Sequence, residues 1–273
     1  MKDTATFRAC PTCAGTDATP LSDYSPAPWD VASCDTCTLV YLRNPPAYEA
    51  LEEDFAWEKT YVEKKSRSKG STPFSPYARK LRRALGMTRD KTDSFRRWFN
   101  DGHVLDIGSG RGNRVNPPMT PYGIELSTAL HKISDDRMRA AGGYCLKGAG
   151  AEAIWEFEEE QFDGIVMFSY LEHETDVMGV LKGAHRALKK DGGVFIRVPN
   201  YASLNRRLIG PKWCGFRYPD HVNYFSLATL SDTAARAGFT TQLVNKYTLH
   251  ADDNVSVLLR KAGMPTTRKG DRL

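Results

Sequence analysis

Four cysteines fall in two C-x-x-C pairs, Cys10-Pro11-Thr12-Cys13 and Cys34-Asp35-Thr36-Cys37, with 20 residues between the pairs. A C-x-x-C turn aims two thiolates at one point, and two such turns close a tetrahedron around a zinc ion. A redox dithiol is the competing chemistry, but it needs one pair only and sits inside a strand–helix–strand pattern. Further along, Gly108, Gly110 and Gly112 make a G-x-G-x-G loop directly after an apolar run, and Glu125 follows Asp106 by 19 positions. Backbone without side chains lets a nucleotide come close, and an acid at the tip of the next strand can accept both ribose hydroxyls. A third group comprises Glu172, His173 and His221. A neutral imidazole takes up a proton near pH 7, which suits His221 or His173 to general-base work.

These groups need a scaffold, and the 273-residue chain can supply one. It is 41% hydrophobic and 26% charged, which excludes wholesale disorder and leaves room for a sizeable core. Its six cysteines are too few and too unevenly placed for a disulfide scaffold. It contains no run approaching the roughly 18 apolar residues of a membrane span, and its start is polar, so a soluble, cytoplasmic protein is expected. From residue 103 onward strands and helices alternate. Strands are predicted at His103–Ile107, Pro121–Leu126, Tyr144–Leu146, Asp163–Phe168 and Val194–Val198, with a helix over Val177–Lys190. Ser226 is placed to cap a helix ending near Gly238, and strands near 240–248 and 254–261 close the sheet, the last one antiparallel. This order implies an α/β, doubly wound, mostly parallel sheet. Asn116-Pro117-Pro118 stands where the first crossover helix would run, so that helix must be short or replaced by a loop.

The expected domains are a zinc ribbon over 1–45, closed by the strand Leu39–Leu42, then a helical linker or cap over 46–98, a catalytic domain over 99–262 and a flexible tail over 263–273. The net charge is +5, but residues 59–100 carry thirteen Lys and Arg against Glu63, Asp90 and Asp93. Such a run reads as a solvated helical face, with an anionic partner, nucleic acid or phosphorylated substrate, as the sharper alternative.

Val104-Leu105-Asp106-Ile107-Gly108-Ser109-Gly110-Arg111-Gly112, Gly123-Ile124-Glu125-Leu126-Ser127, Ala151-Glu152, Phe162–Val166, Leu171-Glu172-His173, Arg186–Gly193 and Val198-Pro199-Asn200 together resemble the class I S-adenosylmethionine-dependent methyltransferases. A nicotinamide enzyme would instead show G-x-G-x-x-G. The resemblance spans about residues 99–262 and implies a seven-stranded Rossmann-like sheet. It further implies that Gly108, Ser109, Gly110 and Gly112 line the methionine end of S-adenosylmethionine, with Asp106 bracing the loop. Glu125 would hold the ribose, Leu126 would flank the adenine, Ala151 and Glu152 would meet its edge, and Phe168 and Ser169 would bound the methyl-donor site. Phe168–His173 is similar to the ubiquinone-type O-methyltransferases. In those enzymes a further acid, three residues before the Glu-His pair, helps hold a divalent metal; here that residue is Ser169.

Trp213–Ser226, dense in aromatics, resembles the loop that closes over the acceptor in this family. The resemblance implies methyl transfer to an oxygen or nitrogen of a small molecule, a sugar or secondary metabolite, with His221 as base, His173 as its partner or a substrate ligand, and Glu172 beside them. Methylation of ribosomal or transfer RNA is the alternative, drawing on the ribbon and the basic 59–100 segment. The sequence leaves the oligomeric state open.

Overall fold

The computed structural model describes residues 7–46, 95–246, 248–249 and 252–263. Most of the expected helical cap, most of the basic 59–100 segment and nearly all of the tail lie outside these residues.

Short apolar runs buried on both faces make the strands of the larger sheet. Their chain order is β4 (His103–Ile107), β5 (Thr120–Glu125), β6 (Cys145–Lys147), β7 (Phe162–Phe168), β8 (Leu188–Pro199), β10 (Phe239–Leu243) and β11 (Asn254–Lys261). In space the order is β10-β11-β8-β7-β4-β5-β6, and only β11 runs against its neighbours. The direction of strand addition reverses between β4 and β7. At such a switch point the loops leaving the two strands diverge to opposite faces and open a crevice beyond the strand ends. Gly108 begins the loop after β4 and Ser169 the loop after β7, so both motifs open into that crevice.

Helices cover the sheet. α1 (Thr128–Ala140) is capped by Ser127, whose Oγ accepts from Leu130 N at 3.3 Å. A single turn, α2 (Gly150–Ala153), follows β6, and α3 (Val177–Ala187) starts from Asp176, whose carboxylate accepts from Gly179 N. α4 (Leu204–Ile209) is short, and α5 (Leu227–Arg236) is capped by Ser226, as the sequence implies, in a capping box completed by Thr229. On one face Leu105, Ile107, Ile165, Met167, Val194 and Ile196 pack against α3 and α5 residues such as Leu181 and Leu230. On the other Val104, Val166, Phe195 and Leu258 meet Phe95 and Phe99.

Several boundaries differ from expectation. α3 stops at Ala187, not Lys190, because Leu188 already pairs with Phe162 and begins β8, which passes straight through Gly192-Gly193 with a register irregularity opposite. The third strand is shifted to Cys145–Lys147 and the 240–248 strand ends at Leu243. Between β4 and β5 the described chain has no helix, in line with Pro117-Pro118.

The cysteine region forms its own antiparallel sheet of β1 (Ala18–Pro20), β2 (Val31–Cys34) and β3 (Val40–Leu42). Its fourth strand is β9 (Asn223–Tyr224), which comes from the aromatic segment Trp213–Ser226: Val40 pairs with Tyr224 and Tyr41 with Asn223. Val31, Val40 and Leu42 pack with Trp213, Val222 and Tyr224 in one buried cluster.

Candidate active site and metal centre

The two cysteine turns are built alike. Cys10 N donates to Gly15 O and Ala14 N to Cys10 O; Cys34 N donates to Leu39 O and Thr38 N to Cys34 O, all at 2.9 Å. Ala14 and Thr38, each four residues after the first cysteine of its pair, both adopt the left-handed conformation, with φ of 59° and 60°. Gly15 has no side chain for a local reason: a Cβ there would lie 3.3 Å from Cys13 Sγ and 3.2 Å from Thr36 Oγ1. The four sulfurs converge, Cys10 to Cys37 at 3.4 Å and Cys13 to Cys34 at 3.5 Å, with all four within 4.8 Å of one another. A disulfide needs about 2.05 Å, whereas tetrahedral zinc with bonds near 2.3 Å spaces its sulfurs by about 3.8 Å. The spacing fits a shared ion.

The glycine loop is held from two sides. Asp106, fully buried, receives the Arg114 guanidinium on both carboxylate oxygens, and that guanidinium also lies over the Phe168 ring, 5.2 Å from its centre. Arg197 covers the same ring at 5.3 Å. Glu125 accepts from Gly110 N at 2.7 Å and Ser127 N at 3.0 Å. Burial raises its pKa; the two N–H groups pull it down and the charge of Asp106 adds to the rise.

The three glycines are not equivalent. A Cβ on Gly108 would meet the Tyr170 ring at 2.9 Å, and one on Gly112 would meet Ser134 Oγ at 2.7 Å. Only Gly110, at φ 59°, has nothing within 4 Å of that position. Gly112 therefore allows α1 to pack closely, while Gly110 faces the open crevice. The Ser109 hydroxyl likewise turns inward, 2.8 Å from Ser134 Oγ, leaving its backbone to the loop surface.

Leu126 is half-buried at the end of β5; Ala151 and the exposed Glu152 lie on α2. At Gly150, just before Ala151, a Cβ would fall 2.1 Å from the Tyr170 hydroxyl. Tyr170 thus lies between the glycine loop and α2, donating its hydroxyl to the buried Glu174. Ser169, at φ 54°, turns the chain there and donates its N–H to Arg197 O.

Glu172, His173 and His221 converge, with one ligand atom from each within 4.8 Å of the other two. The imidazoles meet edge to face, 4.7 Å between centres. His173 Nδ1 lies 2.7 Å from Asp220 O and His221 Nδ1 lies 2.8 Å from Gly215 O. A carbonyl only accepts, so Nδ1 carries the hydrogen in both rings and Nε2 carries the lone pair. Complete burial drives the Glu172 carboxyl up to about 8, against the pull of its own backbone N–H and of Arg217.

The two segments bearing these groups are tied together and to the ribbon. Val222 N and Asn223 N both donate to Glu172 O, and Asn223 Nδ2 donates to Leu171 O and Glu174 O at 2.8 and 2.6 Å. Arg8, before the first cysteine, donates to Leu42 O, Thr175 O, Val222 O and Asn223 Oδ1. Arg8, Arg114, Tyr170, Glu174 and Asn223 are neighbours of the candidate site that sequence reasoning missed. Arg114, two residues past Gly112, was the one available signal, since a buried acid such as Asp106 calls for a cation.

A doubly wound sheet in this order, with a glycine loop at its switch point and an acid ending the next strand, defines a nucleotide-cofactor α/β enzyme. A family profile described as a methyltransferase domain matches residues 75–244, and the chain belongs to that family. It is an S-adenosylmethionine-dependent methyltransferase.

An uncharacterized protein of Methanocaldococcus jannaschii is 22% identical over 151 residues, covering 55% of this chain and 71% of its own length. The structure of an S-adenosylmethionine-dependent methyltransferase from Clostridium acetobutylicum shares the fold, with a TM-score of 0.51 at 12% identity, covering 70% of this chain and all of that one. A Burkholderia thailandensis 1,6-didemethyltoxoflavin-N1-methyltransferase, solved with 1,6-didemethyltoxoflavin and S-adenosylhomocysteine, gives a TM-score of 0.49 at 20% identity, over 89% of this chain and 99% of that chain.

Proposed function

We propose that the protein moves a methyl group from S-adenosylmethionine to an oxygen or nitrogen of a small-molecule acceptor, a sugar or secondary metabolite, and that His221 takes the acceptor's proton. The cofactor supplies a methyl already activated on a sulfonium, so the chain's work is alignment and proton uptake. Gly110 leaves space for the cofactor's methionine end between Gly108 and Gly112, Glu125 has lone pairs for ribose hydroxyls, and Leu126, Ala151 and Glu152 flank the adenine. Phe168, held between Arg114 and Arg197, and Ser169 bound the methyl end. His173 orients the acceptor beside His221, and Glu172 closes the cluster. The observation that carries this reading is Tyr170. Its ring lies against Gly108 of the glycine loop, and two and three residues further along the same segment Glu172 and His173 meet His221.

The four cysteines hold a structural Zn²⁺. With all positions taken by thiolate, that ion does no chemistry. Its role is to hold the sheet whose fourth strand is β9, two residues after His221.

The test is S-adenosylhomocysteine release across a panel of phenols, hydroxylated sugars and amines, with structured RNA as the contrasting substrate. With the accepted small molecule, H221A and H173A should bind S-adenosylmethionine with unchanged affinity and turn over about 10²–10⁴-fold more slowly. Full activity in both variants removes the base assignment. Turnover on RNA alone, with affinity falling steeply as salt rises, replaces the small-molecule reading.

A further inference from the structure

The cluster at the acceptor loop has the construction of a second metal site, separate from the four sulfurs. Three features point there together. First, the donors come from two segments, Glu172 and His173 after β7 and His221 before β9, yet one atom of each falls within a 4.8 Å sphere of the others. Second, both imidazoles are anchored through Nδ1 on backbone carbonyls, at 2.7 and 2.8 Å, so both Nε2 atoms present lone pairs. A carbonyl on the far nitrogen is the usual orienting partner of a metal-bound histidine, since it fixes tautomer and ring direction at once. Third, Glu172 is only 1% exposed, and its Oε2 is buried with no hydrogen-bond partner. A buried carboxylate oxygen in that state is costly unless a cation answers it.

We propose that Glu172, His173 and His221 bind one divalent transition-metal ion, and that the ion blocks methyl transfer by occupying the His221 lone pair. Two imidazole nitrogens and one carboxylate oxygen suit Zn²⁺, Co²⁺ or Ni²⁺ in preference to Mg²⁺, which prefers oxygen and retains its waters. Three protein donors leave at least one coordination position for water. The inhibitory consequence rests on the proposed base role of His221; the metal site itself does not.

The experiment uses the full chain with its ribbon zinc in place. Titration with Co²⁺, followed by calorimetry and visible absorption, should show one further ion with d–d bands and no thiolate-to-metal charge-transfer band. H173A and E172Q should each weaken that ion at least tenfold while the ribbon keeps its zinc, measured as metal content. Methyl transfer should fall with occupancy and return when a weak chelator removes the second ion alone. Because H221A leaves the Gly215 carbonyl without its partner and can fold poorly, the spectrum of the unaltered protein, which separates imidazole from thiolate ligation, carries the test. If no ion beyond the ribbon's binds from Zn²⁺, Co²⁺, Ni²⁺ or Mn²⁺, the site is overturned, and the base reading still stands or falls on its own variants. If the ion binds but raises turnover, the inhibitory claim and the base role of His221 fail together, while the site remains.

Discussion

Replacing Arg8 with Met tests how far the ribbon supports the catalytic loop. The guanidinium donates to Leu42 O at 2.9 Å, Val222 O at 2.7 Å, Asn223 Oδ1 at 3.0 Å and Thr175 O at 3.3 Å. Methionine keeps much of the stem and removes every donor. The Val222 carbonyl still has Leu42 N, so Leu42 O and Asn223 Oδ1 carry most of the loss. Hydrogen bonds from a charged donor contribute about 1.5–3 kcal/mol each, but the four share one guanidinium whose own desolvation offsets part of the gain. A net loss of about 3 kcal/mol results. With a urea slope near the upper end for single domains, about 3 kcal/mol per molar, the midpoint should fall by about 1 M.

Unfolding would be followed by tryptophan fluorescence, since Trp213 lies in the cluster shared by the ribbon and the loop. N223A should not add independently to R8M, because the two side chains touch. A double-mutant cycle should return a coupling of about 1 kcal/mol or more. In the same variant turnover should fall while S-adenosylmethionine affinity stays within about twofold, since none of the groups that Arg8 holds belongs to Gly108–Gly112. A stability unchanged within about 0.5 kcal/mol, or strict additivity with N223A, would show that Arg8 carries no such role.

Two further outcomes follow from the site. G110A should weaken cofactor binding at least tenfold by calorimetry, because its methyl enters the open crevice, and should lower stability only by the strain of a side chain in the left-handed region, about 1 kcal/mol. G112A should lower the melting temperature further, since the same strain is joined by the contact of its methyl with Ser134, 2.7 Å away. Glu172 supplies a pH dependence. Its carboxyl is raised to about 8 in the folded chain, above the unfolded value near 4.3, so its contribution is fully present below the unfolded value and is lost as pH rises to 8 and beyond. Relative to E172Q, the parent should therefore lose stability between pH 5 and pH 8.5 in urea unfolding without added metal; parallel profiles would show that Glu172 titrates normally.

The central fold was legible because its signals are local. A buried strand that runs directly into G-x-G-x-G, as at Val104–Gly112, marks from nine residues the central strand and the loop that leaves it at the switch point of the sheet. The cysteine turns were legible for the same reason: each C-x-x-C pair makes its own loop. What escaped depends on residues far apart in the chain. Nothing around Arg8 announces Asn223, and Glu172 with His173 gives no hint that Gly215 and Asp220 will orient two imidazoles. Among the glycines the pattern showed three of one type, whereas their different jobs come from Tyr170 and Ser134, which sit on other elements. The end of α3 was misjudged because Leu188-Lys189-Lys190 continues a helical pattern, and only the pairing of Leu188 with Phe162 turns it to strand.

The strand β9 also sets a schedule for biosynthesis. The cysteine turns and β3 leave the ribosome early, but the strand that covers the open edge of β3 contains Asn223 and Tyr224. At translation speeds of about 5–20 residues per second, the interval between the two is on the order of ten to forty seconds. During it the backbone of Val40–Leu42 offers unpaired N–H and C=O groups, the template that recruits stray strands. On the proposed zinc reading, metal capture could go ahead at once, since all four thiols are already present, and it would hold the nascent edge in register until its partner arrives. A fragment ended before residue 223 would never receive that partner. It would carry metal and yet keep a permanently open sheet edge, which makes self-association the expected fate of any truncated product.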